Sequence, residues 1–173
     1  MKQQLFIRTA IVGGVITGFA TFFLTFILDI TGFKPLGRNF FLFLPVYAAV
    51  MMLTMTWYRN YKNGGILGGS HAIIMGFLIN LLGSVFYATS LYLFLRFVND
   101  EMLQKHHVDL IKLMTEYKDI MIKDTGAALY EKNLAAIQQI PSPANIATDT
   151  LLKTSLGGFF VAFIIALGLR KSE

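Results

Sequence analysis

The sequence predicts an all-α fold: a four-helix transmembrane bundle with an extramembrane amphipathic helical insertion between spans three and four. The chain is 55% hydrophobic with a mean hydropathy of +0.59, and only 14% of its residues are charged. An ordinary soluble domain carries about 25% charged residues. Four long apolar runs account for this composition, and a charged segment at 99–149 separates the third run from the fourth. We therefore treat residues 1–173 as a single polytopic membrane domain.

The charge pattern indicates membrane topology rather than nucleic-acid binding. The formal net charge is +5, but the basic residues are scattered singly at the ends of apolar runs instead of forming a patch with interleaved aromatic residues. Cysteine is absent, which excludes disulfides, thiolate metal sites and cysteine nucleophiles. The expected partner is the lipid bilayer, and no nucleic acid is expected.

The first span is predicted over residues 5–30. Its uncharged core is longer than the ~7–15 residues of a signal-peptide core and no A-x-A-like site follows, so we expect it to be retained. Gly14 and Gly18 form a GxxxG pair on one face, together with Thr21 and Thr25. Such a pair allows close backbone approach, either to a neighbouring span or to a second copy, and the neighbouring span is favoured.

The second span is predicted over residues 39–58. Pro45 lies in its first third, where it predicts a packing kink more readily than a gating hinge. Trp57 and Tyr58 at the far end suit the aromatic belt, where amphipathic rings meet lipid headgroups.

The third span is predicted over residues 70–97, with Ser70 as the helix N-cap. One side of it is small or polar at helical spacing, and comprises Gly76, Asn80, Gly83, Tyr87 and Ser90. An unpaired amide in hydrocarbon is costly, so Asn80 should face the bundle and hydrogen-bond across helices. A possible intramembrane polar face therefore consists of Asn80, Tyr87 and Ser90, although ordinary packing explains the same pattern.

The insertion is predicted over residues 99–149, because acids and lysines alternate there. Its apolar residues recur at spacings of three and four, which predicts an amphipathic helix containing Leu110, Leu113, Met114, Tyr117, Ile120 and Met121. The sequence Asp124-Thr125-Gly126 predicts a break. We expect two helices, or one kinked helix, over the mouth of the bundle or along the headgroups.

The fourth span is predicted over residues 151–170. Its helix should begin earlier, outside the membrane, with Ser142 as N-cap and Pro143 in the first helical position. Across the four spans, close helix packing is expected at the glycines Gly14, Gly18, Gly76, Gly83 and Gly158.

Four spans place both termini on one side of the membrane. That side carries six cations against one acid, Glu173, and the cations are Lys2, Arg8, Arg59, Lys62, Arg170 and Lys171. The other side carries Lys34 and Arg38 in a short loop, followed by the mixed-charge insertion. Since short loops rich in Lys and Arg stay inside, both termini are predicted to be cytoplasmic in a bacterial cytoplasmic (inner) membrane, with the insertion outside.

The sequence also resembles an uncharacterised bacterial membrane family, domain of unknown function 4199. The matching residues are Asn63-Gly64-Gly65-Ile66, Ala72, Gly76-Phe77, Ile79, Ser84, Tyr87, Tyr92, Phe94 and Phe97. The resemblance implies three spans, an extramembrane helical insertion and a final span. It implies no activity and no catalytic residues.

Reactive side chains are few, and we expect no catalytic residue, no cofactor and no metal. His106 and His107 are adjacent, so on a helix they diverge by about 100° and cannot chelate one metal together. Ser84 lacks the flanking pattern of a nucleophile elbow, and no pair of acids lies within a span. An intramembrane enzyme is therefore the least favoured class.

The leading hypothesis is a non-enzymatic structural or interaction protein, because an amphipathic segment is attached to a bundle without evident chemistry. The 99–149 insertion would contact a protein partner, a lipid surface or a second copy of the chain. The alternative is a small oligomeric transporter or channel that uses Asn80, Tyr87 and Ser90 as a polar path. No charged residue lies deep in any span, so that alternative requires several copies to enclose a path.

Overall fold

A computed structural model describes residues 2–37 and 40–170 of the chain. These residues form seven α-helices and no strand: α1 Lys2–Ile30, α2 Phe43–Trp57, α3 Gly69–Phe97, α4 Glu101–Glu116, α5 Lys118–Thr125, α6 Ala127–Ala136 and α7 Pro143–Leu169. A short 3₁₀-helix, Phe40–Leu42, precedes α2, and a π-helical turn, Tyr58–Lys62, continues it. The predicted all-α fold is confirmed.

Within the described residues, four helical segments are long and apolar enough to cross a membrane: Gln3–Ile30, Phe40–Lys62, Gly69–Phe97 and Pro143–Leu169. Their outward faces are apolar, with large exposed side chains at Phe23, Leu53, Phe160 and Ile164. Contiguous apolar surface of this kind is unfavourable in water and is the normal lipid-facing surface of a span. The predicted four-span bundle fits this arrangement.

The third span is the centre of the bundle. It packs along α1 on one side and along α7 on the other, and α2 closes the bundle against α1 and α7. The Phe6 ring contacts the rings of Tyr58 and His71 at centroid distances of 5.7 and 6.0 Å, and Arg59 donates to the Leu169 carbonyl at 3.3 Å. The beginning of α1 and the end of α7 therefore lie at the same end of the bundle, which we call the termini end.

One detail of the predicted spans is wrong, and the predicted start of span two lies outside the described residues. Pro45 lies in the first turn of α2, which continues directly from the 3₁₀-helix Phe40–Leu42, and a kink there stays a prediction. Ser70 is not the N-cap of α3, since that position is taken by Gly68 in an extended conformation. The predicted start of span two at Asn39, and the adjacent Arg38, lie outside the described residues.

The last helix begins as predicted. The Ser142 hydroxyl accepts a hydrogen bond from the Asn145 backbone N–H at 3.1 Å, and Pro143 occupies the first turn. The cap satisfies one of the N–H groups that a helix start leaves unpaired. Because α7 starts this early, its first two turns stand outside the predicted span and reach toward α4.

The insertion contains three helices rather than the two expected. The predicted break at Gly126 is confirmed, with a φ of +87° that favours glycine. A further break at Tyr117 divides the predicted amphipathic helix into α4 and α5. The start of α4 covers the bundle mouth, because Met102 and Leu103 are buried in a cluster that includes Leu95 and Ile146. The α5–α6 hairpin, residues 117–136 including Tyr117 at its start, packs mainly on itself.

Candidate functional site

The predicted polar residue in the middle of span three is buried in the bundle. Asn80 is 2% exposed, and its amide nitrogen donates to the Ser155 backbone carbonyl of α7 at 2.8 Å. Gly158 makes room for this contact, since a Cβ there would lie 2.8 Å from Asn80 Cγ and 3.0 Å from Tyr47 Cε1. The α3–α7 contact therefore depends on an amide on one helix and a missing side chain on the other.

A third helix joins the network through Ser84, one turn beyond Asn80. The Ser84 hydroxyl donates to Asn80 Oδ1 across a long 3.5 Å and lies 3.1 Å from the Tyr47 hydroxyl of α2. Both Ser84 and Tyr47 are fully buried. No sequence signal identifies Tyr47 as a partner, because its tyrosine ring fits an apolar run as well as a phenylalanine ring would.

The fourth helix joins through Tyr87. Its hydroxyl lies 2.8 Å from Thr25 Oγ1 of α1, and Thr25 also donates to the Thr21 backbone carbonyl at 3.1 Å. Thr17 and Thr21 are buried on the same helix and donate to the backbone carbonyls four residues earlier, at 2.7 and 2.8 Å. We call Tyr47, Asn80, Ser84, Tyr87 and Thr25 the polar line, and it connects all four spans.

Ser90 is placed differently from the other two predicted polar residues. It is half-buried on α3, three residues beyond Tyr87. The hydrogen bonds of the polar line run from Asn80 through Ser84 to α2 and from Tyr87 to α1. The serine of α3 that takes part in the polar line is therefore Ser84, whereas the sequence predicted Ser90.

The predicted packing glycines lie at contacts between spans. A Cβ on Gly18 would lie 2.8 Å from the Gly83 carbonyl oxygen, and a Cβ on Gly14 would lie 3.2 Å from the Ile79 carbonyl oxygen. The GxxxG pair of α1 is therefore used against α3 within the same chain. On the other side of α3, a Cβ on Gly76 would lie 3.1 Å from Ala162 Cβ.

The hydrogen bonds of the polar line are satisfied within the bundle, by its own members and by backbone carbonyls. Among residues 2–37 and 40–170, the only buried side-chain polar atom without a hydrogen-bond partner is Nδ1 of His107, which lies on α4 outside the spans. No group of three or more potential metal-ligating side chains converges within that same part of the chain. The polar groups of the interior can hold the helices together by hydrogen bonds. Losing such a bond is costly, because an unpaired polar group in hydrocarbon finds no water.

A cavity of about 390 Å³ lies between the loop after α1 and the first half of α4. Lys34 pairs with Asp109 across it, and the Asn99 amide donates to Asp29 Oδ2 at 2.8 Å. His106 lines the same cavity. Its pKa is lowered, first by burial and then by the nearby charge of Lys153, so its imidazole stays neutral at physiological pH. These contacts attach α4 to the bundle.

The fold and the polar line define a class: a helical integral membrane protein with four spans and an extramembrane insertion. The chain matches the family described as "Protein of unknown function (DUF4199)" over residues 10–171, and it belongs to that family. Comparison with curated proteins and with solved structures yields no match. The family description assigns no activity.

Proposed function

We propose that the protein is a non-enzymatic integral membrane protein whose 99–149 insertion binds a protein partner through the α5–α6 hairpin. The observation that carries this proposal is the uncovered apolar surface of the hairpin. No residue of α5 is buried, and Tyr117, Ile120 and Leu129 are 46%, 57% and 43% exposed. Large apolar side chains grouped on an extramembrane element are typical of a protein interaction surface.

The hairpin is held in place rather than tethered loosely. Tyr130 of α6 is 5% exposed, and its hydroxyl donates to the Met114 carbonyl of α4 at 3.3 Å. Gly126 supplies the positive φ that the turn between α5 and α6 requires. Such an arrangement lowers the ordering cost of binding, because the apolar side chains are already positioned.

Charge favours a protein partner over the membrane surface. The 99–149 segment carries eight acids and five lysines, a formal net charge of −3, although the whole chain is at +5. The hairpin itself carries three acids and three lysines, so it lacks the excess of Lys and Arg that is typical of helices bound to a membrane surface. The partner is either another protein or a second copy of this chain, and photo-crosslinking distinguishes these two.

The absence of enzymatic activity is part of the proposal. Its support is the polar line, whose hydroxyl and amide groups are engaged with one another and with backbone carbonyls of the bundle. A catalytic group must be within hydrogen-bond reach of a substrate, and these groups are packed between spans.

Site-specific photo-crosslinking in native membranes tests the proposal. A photoreactive phenylalanine analogue placed at Tyr117 or Ile120 should give protein adducts, identified by mass spectrometry as another protein or as a second copy. The same analogue at buried Tyr130 is the matched control and should give none. Adducts with lipid alone from Tyr117 and Ile120, or no adduct at all, would overturn the proposal.

The alternative is a small oligomeric transporter or channel with a path along Asn80, Tyr87 and Ser90. One observation favours it, namely that the polar line reaches all four spans. The transporter hypothesis has less support than the interaction hypothesis, because the groups of the polar line are already hydrogen-bonded. A transport path requires groups that can exchange hydrogen-bond partners. Flux across liposomes carrying the parent or Asn80→Leu discriminates, because equal flux would remove the proposed path.

We further propose that both termini face the cytoplasm of a bacterial cell and that the insertion faces outward. The supporting observation is the set of cations at the termini end, which includes Arg8, Arg59, Lys62 and Arg170. No acid occurs between Asp29 and Asp100. Because the chain lacks cysteine, Gly126→Cys introduces a single thiol. A membrane-impermeant maleimide should label it in intact cells, and labelling only after lysis would reverse the orientation.

A further inference from the structure

A groove of about 630 Å³ opens between α1 and α2 on the outside of the bundle, near the termini end. Gly13 and Thr54 form its floor, where a Cβ on the glycine would lie 2.6 Å from Thr54 Cγ2. Its walls are apolar and face outward: Val12 and Ile16 are each 50% exposed, and Leu53 is 67% exposed. These residues lie within the apolar spans, so the medium that fills the groove is lipid rather than water.

Two cations stand at one end of this groove. Arg8 and Lys62 both line it and are exposed, and the Lys62 ammonium lies 5.1 Å from the centroid of the Trp57 ring. Among the described residues neither cation takes part in an ion pair, and the nearest acids in sequence are Asp29 and Asp100, which belong to the opposite end. Among the described residues, the groove therefore combines an apolar trough with a positive end that no acid neutralises.

The length of the groove matches one leaflet of a bilayer. From Arg8 to Ile16 the helix rises about 12 Å, and half of the hydrocarbon layer is about 15 Å. Trp57 beside the cations is the kind of residue that lies at headgroup depth. The positive end is thus placed where a phosphate would be, and the apolar part where an acyl chain would be.

We propose that this groove binds one anionic phospholipid, with its phosphate between Arg8 and Lys62 and an acyl chain along Val12, Ile16 and Leu53. An anionic lipid fits better than a zwitterionic one, because the positive headgroup of the latter offsets its own phosphate. The site is distinct from the α5–α6 hairpin and lies at the opposite end of the bundle.

The single tryptophan of the chain makes the site directly measurable, because Trp57 lines the groove. The protein is reconstituted in vesicles containing phosphatidylglycerol or phosphatidylcholine with brominated acyl chains, which quench tryptophan on contact. At equal mole fraction we expect stronger quenching by brominated phosphatidylglycerol. A preference of about five-fold for each engaged cation is expected. Equal quenching by the two lipids would overturn the proposal.

Two substitutions distinguish lipid binding at this groove from a general attraction of anionic lipid to the cations of the termini end. Arg8→Gln removes one cation without touching Trp57, and should lower the preference about five-fold. Arg170→Gln removes a cation at the same end that does not line the groove, and should leave the preference unchanged. An equal loss in both variants, or an unchanged preference in Arg8→Gln, would show a diffuse surface-charge effect and overturn the site.

Discussion

The bundle interior and the α5–α6 hairpin differ in how far their side chains are engaged by the rest of the fold. In the interior, Asn80, Ser84 and Tyr87 bond to groups on the other three spans, and glycines allow the backbones to approach within contact. In the hairpin, Tyr117 and Ile120 are left uncovered. The interior groups therefore serve the fold, and the hairpin is the region to which the proposed binding is assigned.

The largest expected effect comes from adding one carbon between α1 and α3. Gly18→Ala places a Cβ 2.8 Å from the Gly83 carbonyl and 2.6 Å from Phe86 Cβ, so a helix must shift. Overpacking of this kind costs about 1–3 kcal/mol. Thermal unfolding in detergent should show a clear decrease in melting temperature.

The matched control for that substitution is Gly168→Ala in α7, where a Cβ would meet nothing within 4 Å. Because alanine has a better helix propensity than glycine, Gly168→Ala should leave the free energy of unfolding unchanged or raise it by up to about 1 kcal/mol. Equal losses in the two variants would contradict the close packing of α1 against α3.

A smaller effect is expected from the polar line. Asn80→Leu removes the hydrogen bonds to Ser155 and Ser84, and interhelical hydrogen bonds in membranes are worth about 0.6–1.7 kcal/mol. Ser90→Ala, on the half-buried side of the same helix, should stay within about 0.5 kcal/mol of the parent. Denaturation by increasing detergent strength compares the two, and a larger loss for Ser90→Ala would place the structural hydrogen bonds elsewhere.

The attachment of α4 should depend on pH. Burial, helped by Lys153 and His107 and opposed by Asp109 and Asp149, holds the pKa of His106 below its ordinary value. The detached helix therefore takes up a proton first as the pH falls. Attachment is fully stable above about pH 6.5 and weakens as the pH drops toward the lowered pKa.

Hydrogen exchange of the α4 amides at pH 7.5 and 5.5, corrected for intrinsic rates, checks this pH dependence. Protection should decrease at the lower pH in the parent and much less in His106→Asn. The same loss of protection in both proteins would assign the effect to another group.

The smallest effect on stability is expected at the hairpin. Ile120→Ser alters a side chain that is 57% exposed on a helix without buried residues, so the melting temperature should remain close to that of the parent. A large decrease would mean that the hairpin contributes to the core, and the contrast between the two regions would be lost.

Much of the fold was predictable because its signals are local. Long apolar runs identify the spans, Ser142-Pro143 starts α7, and Gly126 ends α5. The main error arises where a local signal is missing. Tyr117 interrupts an otherwise continuous helical pattern, and no local turn residue marks that break.

The polar residues were only partly predictable for the same reason. Helical spacing placed Asn80, Tyr87 and Ser90 on one side of span three, but it could not say which neighbours they would meet. Gly158 makes space for Asn80, and Tyr47 reaches Ser84 from α2, so hydrogen bonding depends on two other helices. Neither dependence is visible within the third span itself.

The most direct test of the contrast is the yield of protein adducts from a photo-crosslinker at Tyr117 in two variants. We predict that Asn80→Leu keeps the yield, because it weakens the bundle without altering the hairpin. Ile120→Ser should lose most of it, because the side chain lies on the binding surface. Loss of adducts in Asn80→Leu together with full yield in Ile120→Ser would place the function in the bundle interior and contradict the account.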